Sequence, residues 1–342
     1  MKKVIAILLT MGLAVSLLAG CSSNEETATT TEGTTAEGVA TGDDTAVDKV
    51  YTVGIGQLVQ HEALDAATQG FKDAMIDRLG EDGVKFDEQN ASGDSATCAT
   101  IMNQFVSAEV DLIMANATPA LQAAAAATDS IPILGTSITD YATALEIEDW
   151  SGVTGRNISG TSDLAPLEEQ AKMFTELFPE ATTVGILYCS AEANSVYQAD
   201  TIEEYLTVAG YTCKRYTFAD SNDIASVATT AAAECEVLYV PTDNTAASNT
   251  EIINNICEPA GVPIIAGEAA LCQGCGVATM SISYYDIGYK AGEMACKILV
   301  DGEDITTMEI AGATDLTKQY VASRAEKLGI TMPEDYEALP EE

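Results

Sequence analysis

Short apolar runs that end abruptly in small polar residues set the pattern of this chain. The sharpest is Glu236-Val-Leu-Tyr-Val-Pro-Thr-Asp-Asn-Thr245, in which Val237 to Val240 give way to Thr242, Asp243, Asn244 and Thr245. Such a run reads as a buried parallel strand handing over to a helix whose first N–H groups need oxygen acceptors. Polar chemistry then gathers at the strand's carboxyl end, the edge at which open α/β sheets hold ligands. The same phrase occurs earlier as Asp111-Leu-Ile-Met-Ala-Asn-Ala-Thr-Pro119, ahead of an Ala-rich helix from Ala120 to Thr128. Two further pairs repeat in step: Thr52-Val-Gly-Ile55 with Thr183-Val-Gly-Ile186, and Ile131-Pro-Ile-Leu134 with Val262-Pro-Ile-Ile265. Gly54 to Pro132 and Gly185 to Pro263 both span 78 positions, so the chain is read as two similarly built α/β lobes sharing a cleft.

Between these landmarks the apolar period alternates between strand and helix. Strands are expected at Tyr51 to Ile55, Val84 to Phe86, Leu112 to Ala115 and Pro132 to Leu134, then at Val184 to Tyr188, Tyr211 to Thr217, Val237 to Val240 and Pro263 to Ala266. Helices are expected at Glu62 to Leu79, Ser95 to Ser107, Thr118 to Thr128, Leu164 to Phe178, Ser195 to Ala209, Asp223 to Glu234, Ala246 to Ala260 and Asp286 to Val300. This alternation demands parallel sheets with right-handed crossovers. The fold class is therefore α/β, with two doubly wound parallel-sheet lobes joined by a three-segment hinge. Val153-Thr154, Val277 to Ile282 and Thr307 to Ile310 are the expected crossings. The lobes would comprise 49–157 plus 284–307 and 158–283 plus 308–336.

Residues 1–20 stand apart from the fold. Lys2 and Lys3, the apolar run Val4 to Leu18 and the small residues Ala19 and Gly20 have the layout of a secretory signal peptide. Residues 21–48 are rich in Thr, Glu, Gly, Ala and Asp and contain no aromatic residue, a composition that reads as a flexible tether. Fifteen Lys and Arg against 53 Asp and Glu give a net charge of −38, which excludes nucleic acid as a partner because its phosphates would be repelled. No nucleophile elbow, glycine-rich phosphate loop or paired-acid motif is present, so no catalytic constellation is expected. His61 is the single histidine and has no ligand-spaced partners, so neither a metal nor another cofactor is expected. Most of the eight cysteines after Cys21 sit in apolar segments and read as small buried hydrophobes. Cys272 and Cys275 form a CxxC that reads as preceding a strand, unlike redox motifs, which open a helix; a local disulfide there stays open.

Several stretches resemble a known family. Leu18-Ala-Gly-Cys21 resembles the lipobox of bacterial lipoproteins, with Cys21 the residue that would be acylated. Tyr51-Thr-Val-Gly-Ile-Gly-Gln-Leu-Val-Gln-His-Glu-Ala-Leu-Asp65, Ala117-Thr-Pro-Ala-Leu-Gln122, Gly160-Thr-Ser-Asp163, Ala191-Glu-Ala-Asn-Ser195, Tyr239-Val-Pro-Thr-Asp-Asn-Thr245 and Tyr284-Tyr-Asp-Ile-Gly-Tyr289 resemble the substrate-binding lipoproteins of ABC importers in the tryptophan- and tyrosine-binding group. The resemblance runs from about Val50 to Ile330. It implies a type I periplasmic-binding-protein fold, a monomer anchored outside the cytoplasm, that closes on a small amino acid-type ligand and delivers it to the transmembrane subunits of a permease. Thr139-Asp-Tyr141 and Cys272-Gln-Gly-Cys275 depart from the family pattern beside the cleft.

For a free amino acid, the ammonium needs a carboxylate and the carboxylate needs N–H donors, best supplied by a helix N-terminus. Asp243 is the first choice for the ammonium and Glu268 the second, with helix capping an equally good reading of Asp243. Thr118 and Ser195 each stand at a helix start on opposite lobes and could meet the ligand carboxylate or merely cap. Gln57, Gln60, Asn194 and Asn244 suit a polar cleft because an amide both donates and accepts. Leu64 could wall an apolar pocket; His61, Asp163 and Thr245 enter the ligand-binding set on the family resemblance. A sugar or nucleoside receptor of the same fold and a non-transport sensing lipoprotein are the alternatives.

Overall fold

The computed structural model describes residues 49–313 and 316–340. The signal peptide, Cys21 and the tether lie outside the described residues. Among the described residues no helix is long and apolar enough to cross a membrane.

The first lobe is laid down as β1 (Tyr51–Gln57), α1 (Glu62–Leu79), β2 (Val84–Asn90), α2 (Ser95–Ser107), β3 (Leu112–Asn116), α3 (Thr118–Ala127), β4 (Ile133–Ile138), α4 (Tyr141–Ala144) and β5 (Ile158–Ser162). The second follows as α5 (Leu167–Leu177), β6 (Thr183–Cys189), α6 (Ala193–Val208), β7 (Thr212–Phe218), α7 (Ile224–Glu234), β8 (Val237–Val240), α8 (Asn244–Ala247), α9 (Thr250–Ala260), β9 (Ile264–Ala266), α10 (Ala269–Cys275) and β10 (Ala278–Ser281). The chain then returns through α11 (Tyr284–Cys296) and β11 (Ala311–Gly312), and ends with β12 (Thr317–Tyr320), α12 (Ala322–Leu328) and β13 (Glu337–Ala338).

One sheet has the order β11-β5-β4-β3-β1-β2 and the other β13-β12-β10-β9-β8-β6-β7. The pairings from β1 to β5 and from β6 to β10 are parallel and identical in order, which is the structural form of the matched motif spacing in the two halves. Gly54 and Gly185 occupy equivalent places in β1 and β6, and each makes room for a side chain: a Cβ on Gly54 would come within 2.6 Å of Phe105, and one on Gly185 within 2.5 Å of Leu238. Both sheets carry apolar clusters on two faces, and β3, fully buried, is Leu112-Ile-Met-Ala-Asn116. A strand covered on both sides loses the alternation of a half-exposed one and reads as a continuous apolar run.

The crossings lie a few residues later than expected. β5 pairs with β4 in the first sheet, so the first crossing follows Ser162 rather than falling at Val153-Thr154. Residues 278–281 of the expected second crossing form β10, and the chain passes over at Ile282 and Ser283. β11 still belongs to the first sheet, so the third crossing comes after Gly312 and not at Thr307 to Ile310. The expected helix Ala246 to Ala260 is broken between α8 and α9, and α10 was not anticipated: Cys272 and Cys275 close this helix as buried free thiols.

After the second crossing α11 lies against α1 in the first lobe. Gly70 meets the Tyr285 carbonyl, Gly288 the Ala67 carbonyl and Gly292 the Phe71 carbonyl so closely that no Cβ fits at any of the three. Gly288→Val therefore forces the two backbones apart. It should destabilise the protein by roughly 2–3 kcal/mol in a urea titration, whereas Gly302→Ala, with open space around it, should cost about 1 kcal/mol through its left-handed backbone alone.

Candidate ligand-binding site

The loops that leave the carboxyl ends of β1, β3, β4, β6, β8 and β9 converge between the lobes. Each must satisfy the N–H groups of the helix it opens. Asp243 accepts from Ala246 N at 2.8 Å through one oxygen and from Cys189 N at 2.6 Å through the other, joining the α8 start to β6. Glu268 does the same for α10, taking the N–H groups of Ala270 and Leu271. Glu192 is more heavily engaged: Oε2 accepts from Asn244 N at 3.0 Å, Asn244 Nδ2 at 2.7 Å and Asn194 Nδ2 at 3.2 Å, and Oε1 accepts from Thr245 N at 2.9 Å and Thr245 Oγ1 at 2.7 Å.

Asp163 differs from these three carboxyl groups. It stands directly after β5 at the first crossing, its backbone N–H held by the Ile138 carbonyl at 3.1 Å. Oδ2 accepts the Tyr284 hydroxyl at 2.8 Å, while Oδ1 is buried and has no partner in the protein. Burial pushes its pKa up, against the hydrogen bond from Tyr284. Burial pushes Glu268 up to about 7 against its two backbone donors, and it raises Asp243 well above the usual carboxylate range, aided by the charge of Glu192.

Asp163 faces a small cavity, about 10 Å³ in this closed arrangement, that is also lined by His61, Leu64, Ser137, Asn194, Thr242, Asp243, Asn244, Ala247, Glu268 and Tyr284. Four buried polar atoms on this lining lack a partner: Asp163 Oδ1, Ser137 Oγ, Asn194 Oδ1 and His61 Nδ1. Buried polar groups are nearly always hydrogen-bonded, so four together leave this lining with hydrogen-bonding capacity that the protein itself does not use. Ser137 has φ 56° at an irregularity in β4, and Ala117, at the head of α3, has φ 86°. Strain of this kind in residues other than glycine collects at ligand sites. Ala117 N donates to the Thr136 carbonyl at 3.1 Å, which sets the α3 start beside Ser137. No side chain caps α3, and Thr118 Oγ1 is another buried atom without a partner.

The lobes are closed on this cavity. His61 Nε2 lies 3.3 Å from Asn244 Oδ1 across the cleft, and Gln198 Nε2 donates to Thr139 Oγ1 at 3.4 Å. Of the residues singled out in the sequence, His61, Leu64, Asp163, Asn194, Asn244, Asp243 and Glu268 come together here. Ser195 and Thr245 support the site from behind, Thr245 through Glu192. Gln57 is not among them: its amide bonds Val59 O, Asp65 and Thr68 inside the first lobe, holding the first turns of α1. Gln60 is exposed and lies outside the cavity. Ser137 and Glu192 were missed, the first because nothing in Gly135-Thr-Ser137 announces an inverted backbone, the second because its partners are 52 or 53 positions away. Among the described residues no three His, Cys, Asp or Glu side chains are grouped to hold a metal ion.

A family model for the ABC transporter substrate binding protein matches residues 52–342. The chain belongs to that family. Its fold is that of the type I periplasmic binding proteins, and it is an extracytoplasmic partner of an ABC permease that binds a small molecule. A tyrosine-binding protein of Clostridioides difficile (strain R20291) is 34% identical over 300 residues, covering 87% of this chain and 84% of the relative. An ABC domain from Streptococcus pneumonia in complex with L-Trp is 31% identical, with a TM-score of 0.80 over 84% of this chain and 97% of that one. A ligand-free, open substrate-binding protein with adhesive properties from Clostridium difficile is 35% identical, yet superposes with a TM-score of only 0.65 over 85% of this chain and 99% of that one. A poorer superposition at higher identity is what a rigid rotation between lobes produces, and it agrees with the closed cleft seen here.

The raised carboxyl groups give the fold a pH signature. Glu268 and Asp243 hold protons in the folded protein at pH values where the unfolded chain has released them, so their contribution to stability is lost as pH rises through the folded values. His61, whose pKa is lowered by burial, acts on the acid side of about 6.5 and leaves the range above it to the carboxyl groups. Thermal melts without ligand should therefore fall between pH 6.5 and 8, and Glu268→Gln should reduce that slope; a slope unchanged by the substitution would contradict the assignment.

Proposed function

We propose that this protein captures an amino acid with an aromatic or bulky apolar side chain in the cleft between its lobes and presents it to the transmembrane subunits of an ABC permease, without chemistry of its own. The observation that carries this reading is Asp163, a buried carboxyl on the cavity lining with one oxygen held by Tyr284 and the other without a partner. An ammonium is the ligand group that matches it, and its positive charge would restore the ionised form that burial disfavours. For the ligand carboxylate the nearest uncapped helix start is that of α3, beside Ser137; Thr118, buried with a free hydroxyl, stands there but outside the cavity lining, so this contact would need the ligand to extend toward it. Asp243 and Glu268, the first and second choices from sequence, have both oxygens occupied by backbone N–H groups. The role of ammonium partner passes to Asp163. The tyrosine-binding and L-Trp-bound relatives support an aromatic side chain.

Asp163→Asn keeps an oxygen for the Tyr284 hydroxyl but cannot neutralise an ammonium. It should lower amino acid affinity by roughly thirtyfold or more in calorimetric titration, at little cost in stability. Asp243→Asn should show the opposite balance, losing roughly 1–2 kcal/mol of stability with its cap while the remaining folded protein still binds. A thermal-shift screen of the twenty amino acids, nucleosides and sugars identifies the ligand class, since a ligand at 100 times its Kd adds about 2.7 kcal/mol. Stabilisation by a sugar or nucleoside alone would overturn the amino acid reading.

We further propose that Cys21 is acylated after removal of residues 1–20 and holds the monomeric protein to the membrane through the 21–48 tether; the motif Leu18-Ala-Gly-Cys21 supports this. Two acyl chains give stable attachment where one is marginal. Cys21→Ser should move the protein from the membrane fraction to the soluble one, and retention in the membrane would refute the anchor.

A further inference from the structure

His61 heads α1 in the first lobe and Asn244 heads α8 in the second, with Nε2 and Oδ1 3.3 Å apart. A ring nitrogen can donate or accept and an amide can present either end, so the contact alone leaves the proton unplaced. Glu192 places it. Its Oε2 accepts the Asn244 backbone N–H and the side-chain Nδ2, and a carboxylate surrounded by five donors has only acceptors to offer. The Asn244 amide nitrogen must therefore face Glu192 and its oxygen must face His61. Nε2 then carries the hydrogen, and in the neutral ring Nδ1 keeps a lone pair. Nδ1 is buried on the cavity lining with no partner in the protein, and burial favours the neutral ring.

What surrounds this nitrogen defines its donor. Leu64, in the first turn of α1 after His61, and Ala247, three residues along α8 from Asn244, both line the cavity beside them. This end has apolar walls, whereas Asp163 and Tyr284 mark a polar one. We propose that His61 is a specificity-determining residue whose Nδ1 lone pair accepts a hydrogen bond from an O–H or N–H on the ligand's ring, so that the site takes aromatic amino acids bearing a ring donor, a phenol or an indole, in preference to a plain phenyl. The proposal rests on the reading of the cleft as an amino acid site. Glu192 and Asn244 are its positioning residues, because they select the tautomer without themselves meeting the ring donor.

Calorimetric titration of the full chain with tyrosine, tryptophan and phenylalanine tests this directly. Phenylalanine leaves a buried acceptor unsatisfied, so the wild-type protein should bind it roughly 10- to 100-fold more weakly than tyrosine or tryptophan. His61→Gln keeps an N–H within reach of Asn244 but has no acceptor at the Nδ1 position; the ratio should collapse through loss of affinity for tyrosine and tryptophan. His61→Asn offers an amide oxygen near that position and should keep the preference while weakening all three ligands. Equal wild-type affinity for phenylalanine and tyrosine overturns the proposal and leaves the amino acid reading intact, whatever the folding of the variants. An undiminished preference in His61→Gln overturns it as well. If the wild-type protein binds none of the twenty amino acids, the amino acid reading and this proposal fall together.

Discussion

A helix that follows a parallel strand begins with N–H groups that have no acceptor within the helix, and the way each start is satisfied decides the character of this cleft. Asp94, Asp140, Asp243, Glu268 and Ser283 cap α2, α4, α8, α10 and α11 with their own side chains. His61, Ala117 and Glu192 stand at the starts of α1, α3 and α6 and provide no such cap. The capped starts are saturated and structural. The uncapped ones carry the groups still able to bond a guest, and they come from both lobes.

The same distinction separates what sequence reasoning can and cannot reach. Repeated apolar runs with polar tips are local features, and they suffice to reveal two lobes, the order of most elements and the sheet edges that meet around the cavity. The strand β5 escapes because Ile158-Ser-Gly-Thr-Ser162 has a single apolar side chain and is held in place by β4 and β11. Asp243 and Asp163 look alike as single letters at strand ends. The Cys189 N–H that occupies one is 54 positions away, and the Tyr284 hydroxyl that orients the other is 121 positions away. The tertiary fold decides which carboxyl keeps a free oxygen.

Closure itself is held lightly. The polar bonds across the cleft, His61 to Asn244 and Gln198 to Thr139, are long and join uncharged groups. Neutral hydrogen bonds contribute about 1 kcal/mol each, so these two add little to closure, and a ligand meeting both lobes adds contacts that the closed arrangement alone can offer. A transport receptor needs this, since a cleft that stayed shut by itself would neither load nor deliver.

The glycine seam between α1 and α11 acts as a gauge block for the pocket. His61 stands at the mouth of one helix and Tyr284, which holds Asp163, at the mouth of the other, while Gly70, Gly288 and Gly292 lock the two backbones at one separation and one register. The spacing of the two backbones that carry His61 and Tyr284 is therefore machined by main chain on main chain. A lineage that came to recognise a longer or shorter guest would have to recut this seam, changing residues that no ligand ever touches.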